Sequence, residues 1–273
     1  MTIRYNGRAI DYAESGEGSC IVFVPGSFSA TAAWRPVTQK LNGFRSVATS
    51  LPGCGGTDAL VAPNTTADNY AELIEAVIAH TRQPVHLVGH SWGGTLALAA
   101  ALRGRVRLAS LTLIEANPCH LLLENGGGEL YAAAKNMSDA YIAAYHAGER
   151  EAARRVIDFW TGAGAFDALP PKMREYAVQT TPANVIDWPA MFGFRRSLPE
   201  IAVLRMPVLL IHGTDSHPSL HRIAELLHAT IPGAKLEKIS GASHLLIGTH
   251  PGEIADLIAA HVAAATGGAC SSW

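Results

Sequence analysis

Short runs of apolar residues alternate with longer stretches of helical periodicity along most of this 273-residue chain. The apolar runs are rich in β-branched residues and have the length of strands; they cover residues 20–24, 46–49, 85–88, 111–114, 208–211 and 236–239. Their apolarity is continuous rather than alternating, which is typical of strands buried on both faces of a sheet. Helical stretches that can return the chain for another parallel strand lie at 68–81, 95–103, 220–228 and 253–265. The pattern predicts an α/β fold, with a mostly parallel sheet covered by helices on both faces.

The alternation breaks between residues 117 and 206, where amphipathic helical stretches lie among glycine and proline breaks. We expect this segment to be a helical cap inserted into a core formed by residues 1–116 and 207–265. Residues 3–14 predict an antiparallel hairpin at the sheet edge, because Asn6-Gly7 is a strong two-residue turn signal. Residues 266–273 are small and polar, and we expect a flexible tail there.

Composition excludes several classes of protein. Residues are 48% hydrophobic and 16% charged, and the formal net charge is -2, which fits a compact enzyme and argues against partners such as nucleic acid or an anionic membrane. The chain begins without an apolar stretch of signal-peptide length, so we expect a cytoplasmic protein. Its cysteines are scattered without close pairs, so their spacing indicates neither a metal site nor a disulfide framework. The sequence leaves open whether the chain forms a homo-oligomer.

The chemistry centres on Gly89-His90-Ser91-Trp92-Gly93, which fits the G-x-S-x-G pattern of a nucleophile elbow. An apolar strand leads directly into this pattern, and a helix of small residues leaves it. A sharp turn between strand and helix would present the hydroxyl of Ser91 outward, and the flanking glycines would allow the close backbone approach that such a turn needs. We therefore predict that Ser91 is a nucleophile.

With this elbow in place, the chain resembles the α/β-hydrolase superfamily over nearly all of its length apart from the cap and the tail. Val24-Pro25-Gly26-Ser27-Phe28 resembles the loop that supplies half of the oxyanion hole in that family, with proline in place of the usual histidine. Because the hole is built from backbone N–H groups, this replacement need not abolish it. The resemblance makes the amides of Ser27 and Trp92 the candidate oxyanion donors.

His244 follows the last predicted strand, as the catalytic histidine of the superfamily does. A histidine suits this place because its ordinary pKa lies near neutrality, so that it can accept the serine proton and later deliver it to a leaving alcohol. We predict that His244 is the general base.

The acid of the triad has two candidate positions. In most of the superfamily it lies three residues after a glycine that ends the penultimate strand, but this register, counted from Gly213, falls on Ser216, and Asp215 lies one residue earlier. In some haloalkane dehalogenases and zearalenone-type lactonases the acid instead follows the strand after the nucleophile helix, where this chain has Glu115. We favour Glu115, since a charged residue that ends an apolar strand needs a partner, and keep Asp215 as the alternative.

The resemblance implies a serine esterase or lactonase that acts on a small, largely apolar ester through an acyl-enzyme, with no metal and no organic cofactor. Two other functions remain open: a carbon-carbon bond hydrolase with the same triad, and a non-catalytic receptor or interaction protein on this fold. The cap carries many aromatic residues, which we expect either to line the cleft or to pack the cap itself; they include Tyr131, Tyr141, Tyr145, Phe159, Trp160, Trp188, Phe192 and Phe194.

Overall fold

In this computed structural model, which describes residues 1–60, 65–81 and 84–267, the centre of the protein is an eight-stranded sheet. Its strands are β1 (Thr2–Tyr5), β2 (Arg8–Ser15), β3 (Ser19–Val24), β4 (Phe44–Thr49), β5 (Val85–His90), β6 (Leu108–Ile114), β7 (Val208–Gly213) and β8 (Lys235–Ile239). They lie in the order β1-β2-β4-β3-β5-β6-β7-β8; β1 and β2, and β2 and β4, pair antiparallel, and the other neighbours pair parallel. The prediction of a mostly parallel α/β sheet is confirmed.

Strands β1 and β2 form the predicted hairpin at one edge of the sheet, with Thr2 opposite Asp11 and Tyr5 opposite Arg8. The turn between them consists of Asn6 and Gly7, whose φ angles are 49° and 79°. A two-residue turn whose twist matches that of the flanking strands needs positive φ at both positions, which asparagine and glycine tolerate best. The sequence of the turn therefore sets the register of this edge.

Helices cover both faces of the sheet. The helices outside the segment between β6 and β7 are α1 (Arg35–Thr38), α2 (Ala67–Thr81), α3 (Trp92–Arg103), α10 (Pro218–Thr230), α11 (Leu246–Thr249) and α12 (Pro251–Gly267). Successive side chains of a strand point to opposite faces, so in β3 Val22 packs with α2 and α3 while Ile21 and Phe23 pack toward α11 and α12. This double coverage explains why the strands read as continuous apolar runs.

The segment between β6 and β7 is described throughout and forms helices and loops. We call it the cap; its helices are α4 (His120–Glu124), α5 (Gly128–His146), α6 (Ala153–Thr161), α7 (Ala165–Ala168), α8 (Pro171–Gly193) and α9 (Leu198–Ile201). None of the helices in the described part of the chain is both long and apolar enough to cross a bilayer.

The end of the chain differs from the expected tail at residues 266–273. Helix α12 continues to Gly267, and the Thr266 hydroxyl donates a 2.6 Å hydrogen bond to the carbonyl of Val262. The first two residues of the predicted tail are therefore helical, because the last turn of α12 can close on this side-chain bond. The rest of the predicted tail, including Cys270, lies outside the described residues.

Helix α8 of the cap is joined to α2 of the core by a buried carboxyl group. Asp187 is 5% exposed, and its carboxyl accepts hydrogen bonds from the Tyr70 hydroxyl at 2.6 Å and from the Asn184 amide at 3.0 Å. Burial raises the pKa of Asp187 to about 7, although the two hydrogen bonds oppose the rise. The junction between cap and core therefore carries a carboxyl group that changes its charge near neutral pH.

This carboxyl predicts a specific dependence of stability on pH. A carboxyl whose pKa is raised on folding stabilises the folded state most below its unfolded pKa, and this stability is lost as pH rises from about 4 to about 7. Against Asp187→Asn, which cannot ionise, we expect the wild-type free energy of unfolding to fall by roughly 2–3 kcal/mol between pH 5 and pH 8. Urea titrations of both proteins across this range measure the difference. Asp139→Asn, at an exposed carboxylate paired with Lys135, is the matched control and should follow the wild type. Parallel curves for Asp187→Asn and wild type would contradict the prediction.

Candidate active site

The carboxyl ends of the parallel strands meet at one edge of the sheet, where the ends of β5, β6 and β7 place Ser91, Glu115 and the loop after Gly213. Sites of α/β proteins gather at this edge because loops follow every strand there. The site residues that the sequence predicts follow the carboxyl ends of β3, β5, β6, β7 and β8.

Ser91 sits in a sharp turn between β5 and α3. Its φ and ψ are 56° and -126°, a conformation that a non-glycine residue adopts only when its surroundings enforce it. The backbone N–H of Ser91 donates to the carbonyl of Ile114 at 2.9 Å, and its own carbonyl accepts from Thr95 N–H at 3.1 Å. A Cβ on Gly93 would lie 2.2 Å from the carbonyl oxygen of Pro25, so only glycine fits there. The turn is the elbow that the G-x-S-x-G pattern predicts.

His244 lies after β8 and connects Ser91 to Glu115. Its Nε2 is 2.9 Å from the Ser91 Oγ, and its Nδ1 is 2.5 Å from Oε2 of Glu115. A carboxylate only accepts, so Nδ1 carries the hydrogen and donates to Glu115, which leaves Nε2 free to accept from the Ser91 hydroxyl. The structure thus brings these three predicted residues into one hydrogen-bonded chain.

Glu115 is fully buried and is held by three donors. Its φ is 48°, a left-handed conformation that directs the residue away from the line of β6. Its Oε1 accepts from the backbone N–H of Gly213 at 2.8 Å and from the hydroxyl of Ser216, while Oε2 faces His244. Burial by itself would raise the pKa of Glu115, but hydrogen bonds from His244, Ser216 and Gly213 outweigh it and hold the pKa below its ordinary value. Glu115 is therefore a carboxylate at neutral pH.

Asp215, the alternative acid, lies elsewhere. It is exposed, and its carboxylate accepts a 3.0 Å hydrogen bond from the hydroxyl of Thr214 beside it. Its backbone N–H is bound to the carbonyl of Ala242 at 2.9 Å, which fixes the loop in this orientation. The structure brings Glu115 rather than Asp215 to His244.

Ser216 is a buried residue that contacts Glu115 and that its sequence position did not single out as part of the site. It is 5% exposed, and it occupies the register that belongs to the acid in most of the superfamily, three residues after Gly213. Because its hydroxyl binds Glu115 from that position, the register that usually carries the acid and the side chain of Glu115 meet at the same point of the site. The sequence signal for this contact was the register itself. A small hydrogen-bond donor three residues after Gly213 can bind a carboxylate that another strand places there.

Removal of this hydroxyl should weaken the hold on Glu115. We expect Ser216→Ala to lower kcat about tenfold with a smaller change in KM, because a hydrogen bond to a charged group contributes about 1.5–3 kcal/mol. It should also move the acid-side loss of activity to higher pH, since the Ser216 bond lowers the pKa of Glu115. Steady-state kinetics from pH 4 to 9 measure both effects.

Ser110→Ala is the matched control for this prediction. Ser110 is a buried serine whose hydroxyl lies 2.8 Å from Nδ1 of His86, away from the carboxyl ends of the strands. The control variant should lose stability without the change in kcat or in the pH profile. A Ser216→Ala enzyme with the wild-type pH profile would show that the bond to Glu115 has no part in activity.

The two candidate oxyanion donors flank Ser91. Ser27 follows Gly26, and a Cβ on Gly26 would lie 3.0 Å from Cβ of Ser91, so this loop runs directly against the elbow. Trp92 begins α3 and is the residue after Ser91. In the described part of the chain, neither of the two backbone N–H groups donates to a backbone carbonyl. That these two N–H groups bind an oxygen beside Ser91 stays a prediction.

His90 supports the loop that carries His244. It is 6% exposed, and its Nε2 lies 3.0 Å from the backbone carbonyl of His244, to which it donates. Burial first, and then the neighbouring His244, lower the pKa of His90 to about 3, so the ring stays neutral. The sequence around His90 does not predict this contact, because the loop that carries His244 lies 154 residues away along the chain.

Among the described residues, His90, Glu115 and His244 form the group whose geometry could hold a metal ion. Ligand atoms of His90, Glu115 and His244 lie within 4.8 Å of one another. Both ring nitrogens of His244 are already bound, to Ser91 and to Glu115, so a metal ion here would have to break that chain. The hydrogen bonds therefore favour proton transfer over metal binding at this site.

Side chains of the cap pack beside the site. Ser91 is 6% exposed and His244 is 7% exposed. The indole ring of Trp160, from α6, lies 5.9 Å from the His244 ring, and Phe28, beside Ser27, makes an edge contact with Tyr141 of α5. The reacting atoms are therefore shielded from bulk water, and hydrogen bonds and charges act more strongly there than in water.

Comparisons with known proteins concern the family, the sequence and the fold. The model of the alpha/beta hydrolase family matches residues 21–257. In sequence, the chain is 33% identical over 116 residues to a haloalkane dehalogenase of Mycolicibacterium smegmatis, a match that covers 40% of this chain and 37% of that protein. The chain spans between 12% and 40% of the lengths of the first curated relatives that it matches.

Two solved structures illustrate the likeness of fold. A hydrolase from Pseudomonas aeruginosa PA01 superimposes with a TM-score of 0.77 at 19% identity and covers 96% of this chain and 97% of its own. A thermophilic esterase from Thermogutta terrifontis superimposes with a TM-score of 0.76 at 21% identity and covers 97% of both chains. At these identities the likeness concerns the fold.

Proposed function

Because the chain belongs to the alpha/beta hydrolase family, we propose that it is a serine hydrolase that cleaves small, largely apolar carboxylic esters or lactones through an acyl-enzyme intermediate. The observation that carries the proposal is the unbroken hydrogen-bonded chain from Ser91 through His244 to Glu115. A nucleophile, a base and a group that orients the base, in this order and within hydrogen-bond distance, form the arrangement that acyl transfer requires.

The first half of the reaction forms the acyl-enzyme. Ser91 attacks the carbonyl carbon of the ester while Nε2 of His244 takes the hydroxyl proton, and the negative charge moves to the carbonyl oxygen. The amides of Ser27 and Trp92 bind that oxygen, and Glu115 stabilises the protonated imidazole. His244 then gives the proton to the leaving alcohol as its bond to carbon breaks.

The second half repeats these steps with water. His244 takes a proton from a water molecule, which attacks the acyl carbon, and the same two amides bind the oxygen again. The proton returns to Ser91 as the acid leaves. His244 carries every proton in this cycle, first from Ser91 to the leaving alcohol and then from water to Ser91.

The serine nucleophile argues against dehalogenation, although a haloalkane dehalogenase is among the relatives. If Ser91 displaced a halide from an alkyl carbon, the product would be an ether between Ser91 and the alkyl group. Water does not hydrolyse an ether at a useful rate, whereas it hydrolyses the ester that Ser91 forms with an acyl group. A serine nucleophile can therefore turn over repeatedly on acyl substrates but not on alkyl halides.

A chain-length series of p-nitrophenyl esters, together with a simple γ-lactone, tests the proposal. We expect steady turnover that is fastest on short acyl chains, and a mass increase of one acyl group on the peptide that contains Ser91 after rapid acid quench. A protein that is inert on all of these substrates and acquires no acyl group would contradict ester hydrolysis. Turnover of vinylogous diketones by such a protein would instead identify a carbon-carbon bond hydrolase, and ligand binding without turnover a receptor.

A further inference from the structure

Three aromatic side chains form a corner beside His244. Phe159 and His217 lie almost parallel, with ring centroids 4.2 Å apart and 31° between their planes. Trp160 stands nearly perpendicular to both, at 85° to Phe159 and 77° to His217, and its ring lies 5.9 Å from that of His244. We call Phe159, Trp160 and His217 the ring corner.

The ring corner joins the cap to the core. Phe159 and Trp160 belong to α6, whereas His217 immediately precedes α10, where its Nδ1 accepts the backbone N–H of Ser219 at 3.2 Å. This bond places the ring hydrogen of neutral His217 on Nε2. Burial first, and then His221 and His244, lower the pKa of His217, so its ring stays neutral and the ring corner carries no charge.

The chemistry of the proposed reaction decides which part of a substrate meets these rings. The leaving oxygen must come within about 3 Å of Nε2 of His244 to receive its proton. The acyl carbon is bonded to Ser91, and the carbonyl oxygen faces the amides of Ser27 and Trp92. The leaving alcohol is therefore the part of the ester that lies beside His244, where Trp160 packs.

We propose that the ring corner selects esters whose leaving alcohol carries an aromatic ring. This inference rests on the proposed ester hydrolysis and adds the substrate class to it. Offset and edge-to-face contacts between aromatic rings stabilise a complex beyond the burial of apolar area, by an amount that corresponds to about a two- to tenfold preference. A saturated ring of similar size fills the same space without that gain.

Benzyl acetate and cyclohexylmethyl acetate test this preference, because their leaving alcohols are close in size and acidity and differ in aromaticity. We expect wild-type kcat/KM to favour benzyl acetate about fivefold. Trp160→Leu should remove most of the preference, and Phe159→Leu, at a half-buried position, should reduce it in a protein that keeps its fold. Tyr131→Leu is the matched control and should keep it, since Tyr131 packs at 5.6 Å on Phe192, within the cap.

A second pair of esters locates the effect. Ethyl phenylacetate and ethyl cyclohexylacetate carry the same rings on the acyl side, and their ratio should be the same in wild type, Trp160→Leu and Phe159→Leu. A benzyl preference that survives both substitutions, or an acyl-side ratio that falls as much as the leaving-group ratio, would overturn the assignment while leaving ester hydrolysis intact. A wild-type protein that is inert on all four esters would overturn the proposed function, and this inference with it.

Discussion

Replacement of Ser91 by alanine is expected to lower kcat on p-nitrophenyl esters by roughly 10⁴–10⁶-fold, which brings the rate close to that of the oxyanion donors alone. The variant has no atom that can bond to the acyl carbon, and His244 loses the hydroxyl that lies 2.9 Å from its Nε2. Because the nucleophile and its base act as a unit, His244→Ala should lower kcat by about the same factor. The double variant should lower kcat little more than either single variant does.

Binding and stability distinguish a chemical defect from a structural one. Ser91→Ala deletes one oxygen and leaves the positive φ of the turn to another residue with a Cβ, so the midpoint of urea unfolding should change little. Affinity for a non-hydrolysable ester analogue should also persist, since Ser91→Ala keeps the amides of residues 27 and 92. Activity above about a tenth of the wild-type value would mean that another group, or water activated directly by His244, attacks the substrate.

The sheet could be predicted because each of its strands satisfies a local condition and a global one at once. A run such as 20–24 favours a strand by its β-branched residues, and its continuous apolarity requires cover on both faces, which the helices on either side supply. The Asn6-Gly7 turn could be predicted from a local signal as well, because the two residues that tolerate positive φ are the two that close the hairpin.

Ser91 and His244 could be placed because each directly follows a strand that the sequence already marks. The choice between Glu115 and Asp215 could not be made in this way. Both follow parallel strands, and counting residues does not reveal that Glu115 adopts a φ of 48° while Asp215 is turned outward by the bond between its N–H and Ala242. A left-handed glutamate is a property of the packed loop rather than of the residues around it in the chain.

The remaining features depend on contacts between distant parts of the chain. Ser216 meets Glu115 across 101 residues, and Tyr70 meets Asp187 across 117. The ring corner needs α6 and the start of α10 to meet above His244. No periodicity in either segment predicts its partner, because each of these contacts joins segments that lie far apart along the chain.

The kcat values of Glu115→Gln and Asp215→Asn are expected to differ by about three orders of magnitude, with Glu115→Gln the slower enzyme. The glutamine keeps the size of the side chain, but only one of its two terminal groups can accept hydrogen bonds. If the amide oxygen of the glutamine accepts from Gly213 N–H and from the Ser216 hydroxyl, its amide NH2 faces His244 and donates to Nδ1. The hydrogen of the imidazole then sits on Nε2, where it faces the Ser91 hydroxyl, and the ring can no longer take that proton.

The opposite orientation of the amide is no better. It directs the glutamine oxygen to His244 but sets two N–H groups against each other at Gly213, which leaves buried donors without an acceptor. We therefore expect Glu115→Gln to lower kcat roughly 10³–10⁴-fold, the cost of a histidine held in the wrong tautomer. Asp215→Asn changes an exposed carboxylate that binds its neighbour Thr214, so its kcat should stay within about twofold of wild type. Parallel kinetics on one p-nitrophenyl ester decide the matter: a large loss in Asp215→Asn beside a small one in Glu115→Gln would reassign the acid and require the loop after β7 to turn inward when substrate binds.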